Sequence, residues 1–441
     1  MAVKTLKFGG TSMANAQSIA QVRDIVLADK EAKFVVVSAP GKREAGDTKV
    51  TDLLIRLYEE PTERGKREIM DIISSRFGEI ISGLGLNLDL SGDIERIFAH
   101  AITDATYDYI VSRGEYLSAK VLAKLLGYTF VDAADIVRFN GGVLDADLTQ
   151  ELAGEVLSKA KRAVVPGFYG TDEKGNIKAF SRGGSDVSGA IVARAVHASV
   201  YENWTDVSGF MVCDPRIVKN PKVIEMVTYR ELRELSYMGA GVLHPEAVFP
   251  VNVAGIPINI RNTFDPKAKG TMIIKYEDLL RGKFSRSENA VITGIAGKKN
   301  FVGIFLEKQM MNNEIGFCKS LLDILYDNGI SLEHMPTGID TVTLVIDPTD
   351  DRTLADTIAA IKENCKPTTI EMSKGLALIA VVGHGMNKMK GTAYRVCKAL
   401  SDADINIRMI DQGSSEMNII VAVEDDDYEK AIASLYREFV E

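Results

Sequence analysis

Residues 3–22 have the sequence VKTLKFGGTSMANAQSIAQV, in which a strand-like run ends at two glycines and a helix-like pattern follows. Asn15 is a typical helix N-cap, and Ile19 and Val22 recur after it at helical spacing. Residues 34–37 are a continuous apolar run of the kind found in buried parallel strands. This order of strand, glycine turn, helix and strand predicts an α/β domain with a mostly parallel sheet sandwiched by helices.

The same alternation continues to about residue 280. Strand patterns at 128–131, 163–165, 200–204, 257–260 and 272–274 alternate with helical patterns at 51–58, 61–83 and 116–126 and with a helix that runs through Ala195. The turn cluster at 172–176 predicts a hairpin. A charged, polar segment at 278–289 marks the expected boundary, so that the first domain is residues 1–280.

The remaining residues contain an internal repeat. Four positions correspond at an offset of 75 residues: Gly316 with Gly391, Leu325 with Leu400, Ile330 with Ile405, and Val345 with Ile420. Because a unit of this length is too long for a solenoid, we expect two small α+β domains of the βαββαβ (ferredoxin-like) type, at 290–365 and 370–441.

Composition excludes several classes of protein. Hydrophobic residues make up 46% and charged residues 26% of the 441, which is ordinary for a globular protein. A net charge of −9 argues against a general nucleic-acid binder. The 4 cysteines have no CxxC spacing and form no cluster with the 5 histidines, so we expect no disulfide framework, no metal site in the protein and a reducing, cytoplasmic location. No apolar run is long enough for a transmembrane helix, and no membrane partner is expected.

The segment from Lys7 to Ser12, KFGGTS, could hold an anion. Paired glycines let backbone N–H groups approach an anion, and the following helix N-terminus adds partial positive charge. The P-loop spacing is absent. The alternative interpretation is a plain glycine turn.

Three further segments each allow two interpretations. In SRGGSD (181–186), Ser185 or Asp186 could simply cap the next helix, whereas Arg182 beside two glycines indicates a carboxylate or phosphate partner. Glu115 either favours the first turn of its helix or binds a substrate ammonium group. The segment 204–216 is either a set of turns or a nucleotide-binding loop.

Together these segments resemble the aspartate kinases of the amino acid kinase family. The resemblance rests on KFGGTS (7–12), VVVSAPGK (35–42), VTDLL (50–54), SRGEYLS (112–118), GFYG (167–170), SRGGSD (181–186), WTDVSGFMVCDPR (204–216) and MGAGVLHP (238–245). The repeated tail is similar to the paired ACT domains of the same enzymes. The resemblance implies ATP-dependent phosphorylation of the L-aspartate side chain to 4-phospho-L-aspartate, which begins the biosynthesis of lysine, threonine, methionine and, in many bacteria, diaminopimelate.

The resemblance also implies roles for individual residues. Lys7 would stabilise the transferring phosphoryl group, and Asp186 would organise the reaction centre. Arg182 would pair with the α-carboxylate of the substrate and Glu115 with its ammonium. The implied lining of the aspartate pocket is Ser38, Thr51, Phe168 and Ser185, and the implied nucleotide contacts are Lys7, Gly9, Gly10, Thr11, Thr205, Asp206 and Arg216. ATP would bring Mg²⁺, held mainly by the phosphates.

Two residues depart from the family pattern. Many relatives have lysine at the position of Gly241 and an aromatic residue at that of Met211. Both positions touch nucleotide in the enzymes that this chain resembles. The predicted nucleotide contacts therefore depart further from the family pattern than the predicted aspartate pocket does.

The ACT resemblance implies feedback regulation. Met311, Asn313, Gly316 and Glu333 in the first repeat would bind an effector, with backbone amides on its carboxylate and Glu333 on its ammonium. The implied effectors are lysine, threonine or both, and the implied assembly is a homo-oligomer (dimer or tetramer) formed through the ACT domains. The alternative is that these are ordinary residues at a strand edge.

Two other functions remain as alternatives. One is another amino acid kinase, acting on glutamate, acetylglutamate or a nucleotide, which Arg182, Glu115 and the ACT tail disfavour. The other is a non-catalytic amino acid sensor, against which the intact Lys7, Arg182 and Asp186 speak. The length leaves no room for a fused homoserine dehydrogenase domain, so a monofunctional enzyme is expected.

Overall fold

The computed structural model describes residues 2–181, 183–240, 249–286 and 291–441. The chain divides into two compact units. The first comprises Met1–Phe210, Val223–Leu232 and Gly241–Arg286, and the second comprises Met211–Lys222, Arg233–Ala240 and Ser287–Glu441. Two short segments of the predicted first domain thus belong to the second unit.

The secondary structure follows the predicted alternation. The strands, numbered in chain order, are β1 (Lys4–Phe8), β2 (Ala32–Val37), β3 (Thr129–Phe130), β4 (Phe139–Asn140), β5 (Val143–Leu144), β6 (Ala163–Pro166), β7 (Tyr169–Thr171), β8 (Ile177–Ala179), β9 (Val200–Thr205), β10 (Met226–Thr228), β11 (Ile258–Asn262), β12 (Thr271–Ile274), β13 (Gly294–Glu307), β14 (Leu332–His334), β15 (Thr341–Ile346), β16 (Thr369–Val382), β17 (Met409–Asp411) and β18 (Asn418–Glu424). The helices are α1 (Ala16–Ala28), α2 (Val50–Glu59), α3 (Glu63–Gly83), α4 (Ser91–Thr103), α5 (Tyr107–Val111), α6 (Arg113–Leu126), α7 (Ala133–Ile136), α8 (Ala146–Lys159), α9 (Gly184–Ala195), α10 (Tyr229–Tyr237), α11 (Phe249–Ala254), α12 (Tyr276–Leu280), α13 (Phe317–Asp327), α14 (Asp351–Cys365), α15 (Thr392–Asp402) and α16 (Tyr428–Val440). Of these helices, none combines the length and the apolar character that crossing a bilayer requires.

The first unit is built on one sheet with the order β10-β12-β11-β9-β1-β2-β6-β3. Among the described strands of this sheet the pairings are parallel, apart from the antiparallel pair β11–β12. The predicted α/β fold with a mostly parallel sheet is therefore confirmed. Strands β7 and β8 pair antiparallel and confirm the predicted hairpin at 172–176.

The local signals around β1 act as predicted. The side chain of Asn15 caps α1 by accepting from the Ser18 N–H. Ile19 and Val22 are buried on the face of α1 that packs on the core. Because β1, β2, β6 and β9 run parallel, their carboxyl ends meet at one edge of the sheet, where ligands of such folds bind.

The second unit is one antiparallel sheet with the order β14-β15-β13-β16-β18-β17. Its central strands β13 and β16 each have 14 residues and serve both repeats. The second half of β13 pairs with β15 on one side and with residues 369–376 of β16 on the other, and residues 294–298 of its first half pair with residues 378–382 of β16. Each repeat thus completes its βαββαβ layout with half of a shared strand.

The offset of 75 residues has a structural cause. Gly316 and Gly391 are the N-caps of α13 and α15 and have φ of 91° and 85°, which glycine adopts most readily. After each helix the chain turns in the same way, since Ile330 N–H donates to Leu325 and Ile405 N–H donates to Leu400. The repeat seen in the sequence is therefore a repeat of the backbone.

Candidate active site

An ion pair between Lys7 and Asp186 lies at the carboxyl end of β1. Lys7 is buried, and its Nζ is 2.6 Å from Oδ1 of Asp186. Asp186 is in the first turn of α9, whose N-cap is Gly183 with φ of 57° and no side-chain hydrogen bond. The alternative prediction that Ser185 or Asp186 caps this helix is wrong. Gly183, in a left-handed conformation, is the N-cap residue, and the carboxylate of Asp186 binds Lys7 instead.

The glycine turn after β1, which we call the glycine cradle, packs closely against the segment that follows β2. A Cβ on Gly10 would lie 3.2 Å from the carbonyl oxygen of Ala39, and a Cβ on Gly41 would lie 2.7 Å from that of Gly10. A Cβ on Gly9 would lie 3.7 Å from Lys7 Nζ. Gly10 and Gly41 therefore allow the two backbone segments to approach closely, whereas a Cβ on Gly9 would make only an ordinary van der Waals contact.

One backbone amide of this turn is hydrogen-bonded within the described part of the protein, and two are not. The Gly9 N–H donates to the carbonyl of Trp204 at 3.1 Å, so this amide is already used. Within the described ranges, the N–H groups of Gly10 and Thr11 donate to no protein acceptor. The amides of this turn that are left for a ligand are therefore those of Gly10 and Thr11.

Glu115 is a buried carboxylate with an unsatisfied oxygen. It lies in the first turn of α6 and is 5% exposed. Burial raises the pKa of Glu115 from 4.5 to about 7, against the opposing effects of the Ala39 amide that donates to it and of the Arg113 charge. Its Oε2 has no hydrogen-bond partner among the described residues. An ammonium group would satisfy this oxygen and stabilise the ionised form.

Ala39 joins the glycine cradle to Glu115. Its N–H donates to the Glu115 carboxylate, and its carbonyl oxygen abuts Gly10. A Cβ on Gly114 would lie 2.6 Å from the Ala39 Cβ, so α6 begins in close contact with this residue. The glycine cradle and the buried carboxylate of Glu115 thus both contact Ala39.

The two glycine motifs at 167–170 and 181–186 also meet. A Cβ on Gly167 would lie 2.8 Å from the Oγ of Ser185, and a Cβ on Gly184 would lie 2.7 Å from the ring of Phe168. Phe168 itself has φ of 81°. The structure thus brings Phe168 and Ser185 together, as the aspartate-pocket prediction requires, while Arg182 lies outside the described residues.

Ser38 and Thr51 stand at the two ends of the connection between β2 and α2. Ser38 directly follows the carboxyl end of β2, and Thr51 follows the segment 40–49. The Ser38 N–H donates to the carbonyl of Phe8, and Thr51 lies in the first turn of α2. The buried Arg76 holds this segment, since it donates to the carbonyl of Gly41 at 2.7 Å and to Asp47 at 2.7 Å. Arg76 was not predicted, because it lies on α3, far from any motif in the sequence.

Charge around Asp47 is locally neutralised. Hydrogen bonds from Arg43 and Arg76 hold the pKa of Asp47 well below its ordinary value. Arg43 also pairs with Glu79. In this segment, the guanidinium of Arg43 is therefore already paired with the carboxylates of Asp47 and Glu79.

The predicted nucleotide contacts are divided between the two units. Thr205 ends β9, and its hydroxyl donates to the exposed Asp206 at 3.2 Å. Arg216 and Met211 belong to the second unit, where the guanidinium of Arg216 is bound by the Asp214 carboxylate at 2.6 Å. Gly241 lies outside the described residues.

Of the predicted effector residues, Met311, Asn313 and Gly316 lie just before α13 in the second unit, and Glu333 lies on β14. Met311 is buried in the apolar core, Asn313 is exposed, and Gly316 begins the helix. Glu333 on β14 accepts a hydrogen bond from the hydroxyl of Tyr237 at 2.7 Å. The structure therefore places the Met311 thioether among core side chains, so that the effector prediction rests on Asn313, Gly316 and Glu333.

Arg113 is a further buried residue that sequence reasoning missed. It donates to the Tyr109 carbonyl and to the Ser112 hydroxyl. The guanidinium carbon lies 4.9 Å from the ring centroids of both Tyr116 and Tyr169. These aromatic contacts link the start of α6 to the strand that carries the GFYG motif.

Comparisons with known proteins agree with this arrangement. The amino acid kinase family matches residues 3–262, and the ACT domain matches residues 379–439. The chain is 37% identical to aspartokinase 3 of Bacillus subtilis (strain 168), over 99% of this chain and 98% of the relative.

Two solved proteins have the same fold over their whole length. The aspartate kinase of Clostridium acetobutylicum is 44% identical, with a TM-score of 0.89, and the match covers 100% of this chain and 99% of that one. Escherichia coli aspartokinase III in complex with aspartate and ADP (R-state) is 29% identical, with a TM-score of 0.71 and full coverage of both chains. The same E. coli enzyme has also been solved with lysine and aspartate in the T-state.

Proposed function

The chain belongs to the amino acid kinase family and, within it, to the aspartokinases, and on that premise we propose how its residues phosphorylate the side chain of L-aspartate with ATP. The supporting observation is the arrangement around Ala39, with an anion cradle on one side and the unsatisfied oxygen of buried Glu115 on the other. Such a site suits an amino acid substrate. Its ammonium group would bind Glu115, and its nearby carboxylate would react with a phosphate held at the glycine cradle.

The chemistry needs charge compensation rather than a general base. The side-chain carboxylate of aspartate has an ordinary pKa of about 4, so it is already a nucleophile at neutral pH. A carboxylate oxygen attacks the γ-phosphorus, the bond from that phosphorus to the β–γ bridging oxygen breaks, and ADP leaves. The difficulty is that two anions must approach, and this is met by cations and amides fixed in place before the reaction.

Lys7 and the glycine cradle supply that compensation. Lys7 Nζ would donate to a transferring phosphoryl oxygen while Asp186 holds it in position, and the amides of Gly10 and Thr11 would bind phosphate oxygens. Thr205, Asp206 and Arg216 would contact the rest of the nucleotide.

The amino acid would be held at both ends of its backbone. Glu115 would bind the ammonium group and Arg182 the α-carboxylate. Ser38, Thr51, Phe168 and Ser185 would line the pocket between them.

Magnesium would enter with the nucleotide. Among the residues that the structure describes, no group of three or more His, Cys, Asp or Glu side chains is placed to hold a metal ion, whereas the phosphates themselves offer the oxygen ligands that Mg²⁺ prefers. When bound there, Mg²⁺ neutralises phosphate charge.

Feedback by an amino acid would act through the first repeat. The effector carboxylate would bind backbone amides near Gly316, and its ammonium would replace the Tyr237 hydroxyl on Glu333. Lysine is the first candidate, since a relative 31% identical over 99% of this chain is named lysine-sensitive aspartokinase 3, and threonine is the second.

Assembly into a homo-oligomer would use the second unit. Leu322 and Tyr326 form an exposed apolar stripe one turn apart on α13, and the exposed Ile315 lies just before this helix. An apolar stripe of this kind is typical of a protein–protein contact. Light scattering of the wild type and of Tyr326→Glu tests this, because loss of the contact should lower the mass in solution.

The activity is tested by trapping its product. With ATP, Mg²⁺ and L-aspartate, hydroxylamine should convert the acyl phosphate to aspartate β-hydroxamate at the rate at which ADP forms. Glutamate and N-acetylglutamate serve as control substrates. ADP formation without hydroxamate, or equal hydroxamate from the control substrates, would contradict the proposal.

A further inference from the structure

Asn203 adds a third polar side chain to the Lys7–Asp186 pair. It lies directly beside Lys7 in the parallel pairing of β1 with β9, so the two side chains are on the same face of the sheet. Asn203 is 4% exposed, and its Nδ2 donates to Oδ1 of Asp186 at 3.0 Å. Lys7 Nζ approaches the same oxygen at 2.6 Å. Side chains from two neighbouring strands therefore bind the same carboxylate oxygen of Asp186.

The backbone of Asp186 is held independently of Asn203. The hydroxyl of Tyr201, two residues earlier on the same face of β9, donates to the Asp186 carbonyl at 3.1 Å. Gly189 lets α9 come close to this tyrosine, since a Cβ there would lie 2.4 Å from the hydroxyl oxygen. The first turn of α9 is thus fixed on β9, and Asn203 acts on the carboxylate alone.

An amide is an uncommon choice at this position. Strands in the middle of a parallel sheet are covered on both faces and are usually apolar. A buried amide costs free energy unless it is hydrogen-bonded. A leucine of similar volume would fill the space without a partner, so what the amide adds is its bond to Asp186.

We propose that Asn203 is a positioning residue for the phosphoryl transfer, because its bond to Asp186 leaves Lys7 able to serve the phosphoryl group. The inference rests on the proposed function. A lysine ammonium has three N–H donors and no acceptor, and Asp186 competes with the phosphoryl oxygens for them. With Asn203 donating to the same oxygen, Asp186 remains satisfied while Lys7 turns to the phosphate.

Loss of the amide should therefore tighten the Lys7–Asp186 pair. Among the described residues, Lys7 would then be the remaining side-chain donor to this carboxylate. Charge-assisted hydrogen bonds are roughly twice as strong as neutral ones, so the lysine would be held back from the phosphoryl group. The substitution should therefore raise the free energy of the transition state more than it weakens the binding of either substrate.

Asn203→Leu is the test variant, with Asn259→Leu as a matched control. Asn259 lies on β11 and pairs with Glu202 of β9, so it lies on the opposite face of the sheet from Asn203. We expect Asn203→Leu to lower kcat about thirtyfold, less than the loss of a donor that touches the transition state, with both KM values within about threefold. The control should keep kcat within about threefold. The isosteric Asn203→Asp, which also loses the donor, replaces Asn203→Leu if the leucine variant does not fold, and its kcat should fall at least as far.

A double-mutant cycle separates positioning from a general structural effect. In an Asp186→Asn background, Asn203→Leu should change kcat by less than about threefold, because the carboxylate on which Asn203 acts is gone. Equal losses in both backgrounds, or a kcat of Asn203→Leu within about threefold of the wild type, would overturn the inference. Failure of the wild type to form aspartyl phosphate would instead overturn the proposed function.

Discussion

Replacing Glu115 with glutamine should stabilise the unliganded protein and weaken aspartate binding at the same time. The side chain is 5% exposed, and burial raises its pKa from 4.5 to about 7. Such a difference between the unfolded and folded states costs the folded protein about 3 kcal/mol once the pH exceeds both values. Glutamine has the same shape and no charge, so it removes this cost.

The sign of the pH dependence follows from the direction of the pKa change. Because the folded-state pKa is raised, the cost of Glu115 is absent below the unfolded value, grows as the pH rises through 4.5, and is complete above about 7. The gain from Glu115→Gln should therefore be about 3 kcal/mol at about pH 8 and about half of that at about pH 5.5.

The assay is denaturant unfolding at these two pH values, together with aspartate kinetics. Glu151→Gln is the control, because Glu151 is exposed on α8 and its loss should change the free energy of unfolding little at either pH. The reasoning is refuted if Glu115→Gln is no more stable than the wild type at about pH 8, if its gain is the same at both pH values, or if the KM for aspartate is unchanged.

Four other predictions concern the proposed active site and its regulation. Lys7→Ala should lower kcat on the order of a hundredfold or more, since it removes a preorganised charge; near-normal turnover would contradict this role. The KM for aspartate should rise about tenfold from about pH 8 to about pH 6, because protonated Glu115 cannot bind an ammonium, and a flat profile would argue against that contact. Arg182→Ala should raise chiefly the KM for aspartate, and an unchanged KM would remove Arg182 from the α-carboxylate. Tyr237→Phe should make inhibition by lysine about threefold to tenfold tighter, because it removes the hydroxyl that competes for Glu333; weaker inhibition would refute that competition.

Local patterns carried the prediction of the fold. The apolar runs of β1 and β2, the cap at Asn15 and the turn at 172–176 are signals within a few residues, and the structure confirms each. The repeat was visible because Gly316 and Gly391 must both adopt positive φ. The sharing of β13 and β16 between repeats was not visible, since it depends on pairing between residues about 75 apart.

Long-range contacts limited the prediction of the site. Lys7, Asp186 and Glu115 came from motifs that the family resemblance identifies. Arg76 and Asn203 carry no motif, and their importance comes from what they touch across the fold. The sequence offered one signal for Asn203, an asparagine within the strand pattern at 200–204.

Helix capping shows where a local rule fails. Ser185 and Asp186 are good capping residues, yet Gly183 begins the helix and Asp186 binds Lys7. A long-range ion pair thus prevailed over a local hydrogen bond. Departures of this kind are expected at functional sites.

A crystal structure with L-aspartate and a non-hydrolysable ATP analogue tests the central claim most directly. It should show the γ-phosphate within hydrogen-bond distance of Lys7 Nζ and of the Gly10 and Thr11 amides, and the aspartate ammonium on Oε2 of Glu115. Either ligand bound elsewhere, with these groups left in their present contacts, would contradict the claim.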